Sequence, residues 1–247
     1  MARFVNKEEH AVKRNEILDA AQRLVNTRGY ERMTIQDILD DLQISKGAFY
    51  HYFDSKPAVL EALTQRMVVE FEQALVPVVH DPDLTALEKL QRFFLTVIRL
   101  KAAQRTFVAA LLRIWYADDN AIVRQKADAA LVERLAPLLT MIVRQGTRES
   151  IFTTAYPDQV GEVVWLLIRG LQDTPNRLLL AFTQERDEQQ YVEGVVAAHT
   201  AYMDAIERVL GAPSGSLYRV DAETVRGWAA VLRDNAQGGS ETPAPDE

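Results

Sequence analysis

The stretch LQISKGAFYHYFDSK, residues 42–56, combines basic, aromatic and small side chains in one short segment. Lysine and histidine can donate hydrogen bonds to phosphates and base edges, and small residues let a backbone approach a duplex closely. The run 50–52, Tyr-His-Tyr, would spread over about 200° of a helix, so its members cannot all face a core. Phe49 and Phe53, four residues apart, would share the buried face. The pattern predicts recognition of double-stranded DNA.

Two short capped helices are expected to position this segment. Thr34 is followed three residues later by an aspartate, a near match to a capping box, and Ser45 offers a second N-cap. Helices at 34–42 and 45–52, joined by a turn of about three residues, follow a longer amphipathic helix that runs from Lys13 to a glycine. This order predicts a three-helix helix-turn-helix unit, with the second short helix lying in the major groove.

Residues 17–63 resemble the DNA-binding region of the TetR family of bacterial transcriptional regulators, above all in the motif ISKGAFYHYFDSK. The resemblance covers about a fifth of the chain. It implies an all-α fold, with an N-terminal three-helix helix-turn-helix DNA-binding domain and a larger helical domain for ligand binding and dimerisation. It assigns phosphate contacts to Thr34, Ser45, Tyr50, Tyr52 and Lys56, and base-edge contacts to Lys46, Gly47, Ala48 and His51.

Two departures from the family pattern lie close to this motif. Asp40 and Asp41 stand where the family more often has an alanine-containing pair, and they would add negative charge near DNA. Gln43 replaces the glycine that is usual at the turn, so a left-handed backbone there would be mildly strained. We expect both departures to leave the assignment intact and to lower the non-specific affinity.

Composition and charge are consistent with a globular protein that binds DNA through its N-terminal part. Of the 247 residues, 48% are hydrophobic and 26% charged, which is typical of a soluble globular protein. Residues 1–56 hold nine Lys/Arg and nine Asp/Glu, so the rest of the chain carries the whole net charge of −7. A polyanionic partner is therefore expected to meet the N-terminal part.

Several classes of protein are not indicated. No apolar run approaches the roughly 18 residues of a membrane span, and the first residues lack the apolar region of a signal peptide, so we expect a cytoplasmic protein. Zero cysteines exclude disulfides, thiolate zinc sites and a catalytic cysteine. The four histidines lack metal-binding spacing, and no G-x-S-x-G or glycine-rich phosphate loop occurs. We therefore expect no enzyme activity, metal or cofactor.

The rest of the chain is also predicted to be helical. We divide it into a helix-turn-helix domain at 1–56, a helical effector-binding and dimerisation domain at 57–235, and a small, polar tail at 236–247 that is expected to be disordered. After the long helix at 57–79, further helices are predicted at about 84–103, 105–117, 119–147, 157–183, 186–210 and 221–235.

The helices at about 157–183 and 186–210 are expected to form a four-helix interface with a second copy. Their apolar faces carry Val160, Val163, Val164, Leu167 and Leu171, and Tyr191, Val195, His199, Tyr202, Ile206 and Val209. An ordinary internal core is the alternative explanation of these faces. Dimerisation is expected independently, since one recognition helix reads half a site and a dimer spaces two of them about 34–36 Å apart.

A cluster of large apolar residues gives candidates for an effector pocket. They are Phe94, Ile98, Phe107, Leu111, Trp115, Tyr116, Met141 and Trp165. Aromatic residues at helical spacing form core packing more often than they line a ligand site, so that alternative stays open. The sequence does not indicate the charge of an effector.

These observations predict a sequence-specific DNA-binding transcriptional regulator. The first interpretation is a homodimeric repressor that a small-molecule effector releases from a palindromic DNA operator. The alternative is a DNA-binding regulator without a small-molecule effector, which is constitutive or controlled by a protein partner.

Overall fold

The computed structural model describes residues 2–115, 118–185 and 188–237, with side chains at 8–112, 114–115, 119–174 and 188–230. All regular structure in these ranges is helical, which confirms the predicted all-α class. The helices are α1 Ala2–Arg28, α2 Ile35–Leu42, α3 Lys46–Tyr50, α4 Lys56–His80, α5 Ala86–Ala103, α6 Arg105–Trp115, α7 Ala121–Arg148, α8 Val160–Glu185, α9 Glu188–Leu210 and α10 Ala222–Gln237. None of the helices described has the length and apolarity that a membrane crossing requires.

Three boundaries differ from those expected. α1 begins at Ala2 rather than near Lys13. Its first turns lack the regular apolar spacing on which the predicted start relied, so the sequence did not indicate the earlier start. The second short helix ends at Tyr50 rather than at residue 52. α10 extends to Gln237, and the predicted tail lies outside the described residues from 238 onward.

The chain divides into two compact units. The first extends up to Met67 and includes Gln104–Ala127, while the second comprises Val68–Ala103 and Asp128–Ala230. The boundary expected after residue 56 therefore differs from the observed division, in which α6 belongs with the helix-turn-helix elements.

The core of the first unit is built around α1, which packs against α2 and α6. Leu18 of α1, Phe49 of α3 and Phe107 of α6 are each at most 2% exposed and lie in one hydrophobic cluster. Burying a side chain of this size stabilises the fold by about 1.5–3 kcal/mol. The short α3 is therefore held by packing, since a helix of its length is not stable alone.

In the second unit α8 packs against α9, and α8 also approaches α7 closely at its start. A Cβ added at Gly161 would lie 2.8 Å from the backbone nitrogen of Thr140, so this crossing requires glycine. α10 packs against α9, where Tyr191, Val195 and Val225 are buried in one cluster.

A buried carboxylate organises the connection between α9 and α10. Glu207 accepts hydrogen bonds from the backbone N–H groups of Gly215 at 2.9 Å and Leu217 at 2.8 Å, and from Arg219 at 2.9 Å. Burial alone would raise the pKa of Glu207, but these donors together lower it. The carboxylate thus stays ionised and satisfies donors that the loop would otherwise bury without partners.

His199 of α9 lies beside the same connection. Its Nδ1 accepts the Val220 N–H at 3.4 Å, and its ring lies 6.1 Å from that of Tyr218. Burial, with a smaller contribution from Arg219, lowers the pKa of His199 to about 4. His199 is therefore neutral in the folded protein at neutral pH.

The free energy of unfolding is expected to fall as the pH drops from 6.5 to about 4, because in this window His199 takes up a proton in the unfolded chain but not in the folded one. His199→Gln should remove this part of the pH dependence, as measured by chemical denaturation across that range. His80→Gln, which changes an exposed histidine at the end of α4, is the control and should keep it. Parallel pH profiles for wild type and His199→Gln would contradict this assignment.

Candidate nucleic-acid interface

The start of α2 is fixed by a reciprocal capping box, as predicted. The Thr34 hydroxyl oxygen accepts the Asp37 N–H at 3.1 Å, and Asp37 Oδ2 accepts the Thr34 N–H at 2.8 Å. The Thr34 hydroxyl also donates to Asp37 at 2.8 Å. The Thr34 backbone and hydroxyl donors lower the pKa of Asp37, and Arg28 assists at 2.7 Å. The Thr34 hydroxyl proton is therefore already used within the protein.

The turn between α2 and α3 depends on a left-handed residue. Gln43 has φ 52° and ψ 42°, which confirms the expectation of a left-handed backbone where the family usually has glycine. Its N–H and that of Ile44 both bond to the Leu39 carbonyl, which closes the end of α2. The turn therefore directs the chain from α2 into α3 through one unfavourable backbone conformation.

α3 is attached to the core by one face and exposed on the rest. Ser45 caps it by accepting the Ala48 N–H at 3.2 Å, and Phe49 is its buried residue. Lys46, Gly47, Ala48 and Tyr50 are all exposed. A Cβ added at Gly47 would meet nothing nearer than the Ser45 hydroxyl at 3.9 Å, so the front of α3 is open to an approaching molecule.

The residues after α3 form a ring cluster with α1. The His10 ring lies 4.6 Å from that of Tyr52 and 5.4 Å from that of His51. One turn along α1, the Arg14 guanidinium lies 4.9 Å above Phe53. Neither His10 nor Arg14 was predicted from the sequence. Together with buried Leu18 they recur every four residues along α1, so a helix predicted to start before His10 would have placed all three on one face.

Lys56 contacts the protein as well as being available at the surface. Its Nζ donates to the Glu31 carbonyl at 3.0 Å and lies 4.5 Å above the Tyr30 ring. Burial lowers the pKa of Lys56, against the opposing effect of Glu31 and Asp37. An ammonium has three donors, so the bond to Glu31 leaves capacity for a phosphate.

Asp40 and Asp41 add less uncompensated negative charge near α3 than the sequence indicates. Asp41 pairs with Arg23 of α1 at 2.7 Å, and Asp40 accepts a hydrogen bond from Gln36 at 2.7 Å. Both contacts are exposed and contribute little to stability. They hold the carboxylates against α1 and α2, and the charge of Asp41 is balanced by its partner.

The predicted effector residues do not all lie in one unit. Phe107 and Leu111 are buried in the core of the first unit, and Phe94 and Trp165 are buried in the second. Met141, also in the second unit, is 41% exposed. Of the other candidates, Ile98 and Trp115 are half-buried, and Tyr116 lies outside the described residues. Within the described part of the chain, no three His, Asp or Glu side chains are grouped as metal ligands.

Comparisons with known proteins match this geometry. Residues 17–63 match the family described as bacterial regulatory proteins, tetR family. The A-factor receptor protein of Streptomyces griseus is 44% identical over 59 residues, 23% of this chain and 21% of that protein. The transcriptional regulator EthR of Mycobacterium tuberculosis is 29% identical over 139 residues, 49% of this chain and 64% of EthR. The chain thus spans less than two thirds of these relatives.

A solved structure extends the likeness beyond the matched segment. The transcriptional regulator from Cytophaga hutchinsonii has a TM-score of 0.59 at 16% identity, over 78% of this chain and 96% of that one. The fold and the capped α2–α3 pair define a helix-turn-helix protein. The match to the tetR family of bacterial regulatory proteins covers residues 17–63, the segment that contains this helix pair.

Replacing Gln43 by glycine is expected to raise the free energy of unfolding by about 0.5 kcal/mol, because relief of left-handed strain exceeds the added freedom of the unfolded chain. Gln43→Val should lower it by about 1 kcal/mol or more, since a branched residue avoids positive φ. Thermal and chemical denaturation measure both. A Gln43→Val variant as stable as wild type would show that this turn relaxes without cost.

Proposed function

We propose that this protein is a sequence-specific DNA-binding transcriptional regulator whose α3 lies in the major groove. The observation that carries the proposal is the attachment of α3. Phe49 fixes the helix to the core while Lys46, Gly47 and Ala48 remain exposed. This arrangement supports the approach of a duplex, and Lys46, Ala48 and His51 are the side chains proposed to reach base edges.

The surrounding polar groups are proposed to hold the phosphates. Ser45 caps α3, Tyr50 is its last residue, Tyr52 follows it, and Lys56 begins the next helix. Phosphate contacts set register and orientation, whereas base contacts set the sequence preference. Thr34 is the weakest candidate of the set, because its hydroxyl proton is committed to Asp37.

We propose a homodimer formed through α8 and α9, although not through all the residues first expected on their faces. Tyr191, Val195 and Ile206 are at most 7% exposed and pack within their own chain, so they offer no surface to a partner. On α8, Val163 is 42% and Leu166 is 57% exposed. These exposed apolar side chains support α8 as the centre of the interface.

We propose that the protein is a repressor that a small-molecule effector releases from a palindromic operator. α4 begins in the first unit and ends in the second, which supports a role in coupling ligand binding to the recognition helices. An effector that prefers the released state a hundredfold supplies about 2.7 kcal/mol. The alternative remains a regulator without an effector, constitutive or controlled by a protein partner.

Selection of bound duplexes from a random DNA pool tests the DNA proposal. Wild type and an Arg92→Ala control, which alters an exposed residue of α5, should enrich the same palindromic consensus. Lys46→Ala with His51→Ala should lose that enrichment, since each base contact contributes about 1–3 kcal/mol. Equal enrichment by the double variant would contradict the assignment of α3 as the recognition helix.

Sedimentation of Val163→Glu with Leu166→Glu tests the interface. Introducing two carboxylates into an apolar contact should convert the dimer to a monomer. Ile122→Glu is a matched control. Ile122 of α7 is 68% exposed, so this substitution should leave the sedimenting mass unchanged. A double variant that sediments with the mass of wild type would exclude α8 from the interface.

A further inference from the structure

An open cleft of about 710 Å³ lies in the second unit, and no proposed DNA contact lines it. It lies where the last turn of α4, the first turn of α5 and the C-terminal turns of α7 meet. The lining residues are Val79, Lys89, Met141, Arg144, Gln145, Thr147, Arg148 and Pro157. Ligand sites of small organic molecules commonly have volumes of about 300–1,000 Å³.

The innermost cation of this cleft is a buried lysine. Lys89 is 5% exposed, and its Nζ donates to the Val79 carbonyl at 2.7 Å and to Gln145 Oε1 at 2.8 Å. Both acceptors are uncharged, and no carboxylate pairs with Lys89 among the described residues. A buried charge without a counter-ion is costly, and the ammonium has a third donor to offer.

The Gln145 amide and the Glu149 carboxylate are already hydrogen-bonded within the protein. Gln145 Nε2 donates to the Leu84 carbonyl at 2.9 Å and to Glu149 Oε1 at 2.6 Å. The other oxygen of Glu149 accepts the Ala86 N–H at 2.8 Å. This network fixes Lys89 in position and engages both oxygens of Glu149, so the ammonium is preorganised for an acceptor from outside the protein.

Two guanidinium groups add to the positive charge. Arg144 pairs with Asp158 at 2.6 Å. Arg148 donates to the Arg144 carbonyl at 3.3 Å and has no ion pair within the part of the chain that the structure describes. The cleft lining thus holds three cationic side chains and no carboxylate, and the two carboxylates beside it, Asp158 and Glu149, are both hydrogen-bonded within the protein, in a chain whose net charge is −7.

The rest of the lining is apolar. Met141 is 41% exposed at the cleft, and Val79 and Pro157 contribute further carbon surface. Methionine is flexible and polarizable, so it adapts to ligands of different shape. The cleft therefore combines a cationic interior with an apolar side.

We propose that this cleft binds an amphipathic organic anion, with its acidic head group at Lys89 and Arg148 and its apolar body against Met141. The charged head supplies the acceptor that Lys89 lacks, and the apolar body covers exposed carbon surface. Assigning this ligand as the effector rests on the proposed function, but binding in the cleft does not depend on DNA recognition.

Titration of the full chain with anilinonaphthalene sulfonate, an anionic probe with aromatic rings that fluoresces when bound, tests the site. Arg148→Gln and Lys89→Met are each expected to weaken binding about tenfold or more, the effect of losing one charge-assisted contact. Arg208→Gln, at an exposed arginine of α9, is the matched control and should bind as wild type does. Decanoate should displace the probe, and decanol at the same concentration should not.

Because Lys89 also supports the fold, Met141→Glu provides a second variant at an exposed position. The added carboxylate should repel the probe and abolish its binding at the cleft while the helical content stays that of wild type. Unchanged probe affinity in both Arg148→Gln and Met141→Glu would overturn the proposal, and so would equal displacement by decanol.

A separate measurement distinguishes failure of the site from failure of the proposed function. Decanoate is added to wild type bound to its selected operator, with Met141→Glu as the unresponsive comparison. Release of DNA from wild type but not from Met141→Glu supports the cleft as an effector site. If probe binding follows the expected pattern but DNA is retained, the binding site stands and its role as the effector site is overturned.

Discussion

The proposed recognition surface depends on the burial of two aromatic side chains, Phe49 and Phe53. α3 has five residues, too few to form a stable helix in water, and Phe49 is its buried contact with the core. Phe53, just beyond the helix, packs 6.0 Å from Phe49 between ring centroids. With this pair in the core, the remaining side chains of α3 need no apolar partners, so they are free to be small, basic or polar.

Local backbone chemistry then sets the direction of α3. The capping box at Thr34 fixes where α2 starts, the left-handed Gln43 fixes where it ends, and Ser45 starts α3 three residues after Leu42. The left-handed residue is a small local cost that the packing of Phe49 outweighs. Local hydrogen bonding also directs the chain in the second unit, where the buried Glu207 organises the loop between two packed helices.

The features that were predictable from the sequence are those encoded by neighbouring residues. The caps, the Phe49–Phe53 face and the positive φ at Gln43 each depend on residues within a few positions of one another. His10 was missed because the first turns of α1 lack apolar spacing. The cationic cleft was missed because Lys89 and Gln145 are 56 residues apart, and only the packing of α5 against α7 brings them together. The residues predicted to bind an effector are all large and apolar, but residue type alone does not determine in which of the two units a residue is buried.

The participation of α6 in the first unit limits how far the DNA-binding region can be treated as a module. Phe107 and Leu111 complete the same hydrophobic cluster as Phe49, although they follow it by more than fifty residues. A chimera that joins only the first 67 residues to a foreign ligand-binding domain would leave that cluster open to water. Exchange of DNA specificity between such proteins therefore requires either transplanting α6 as well or grafting the exposed residues of α3 alone.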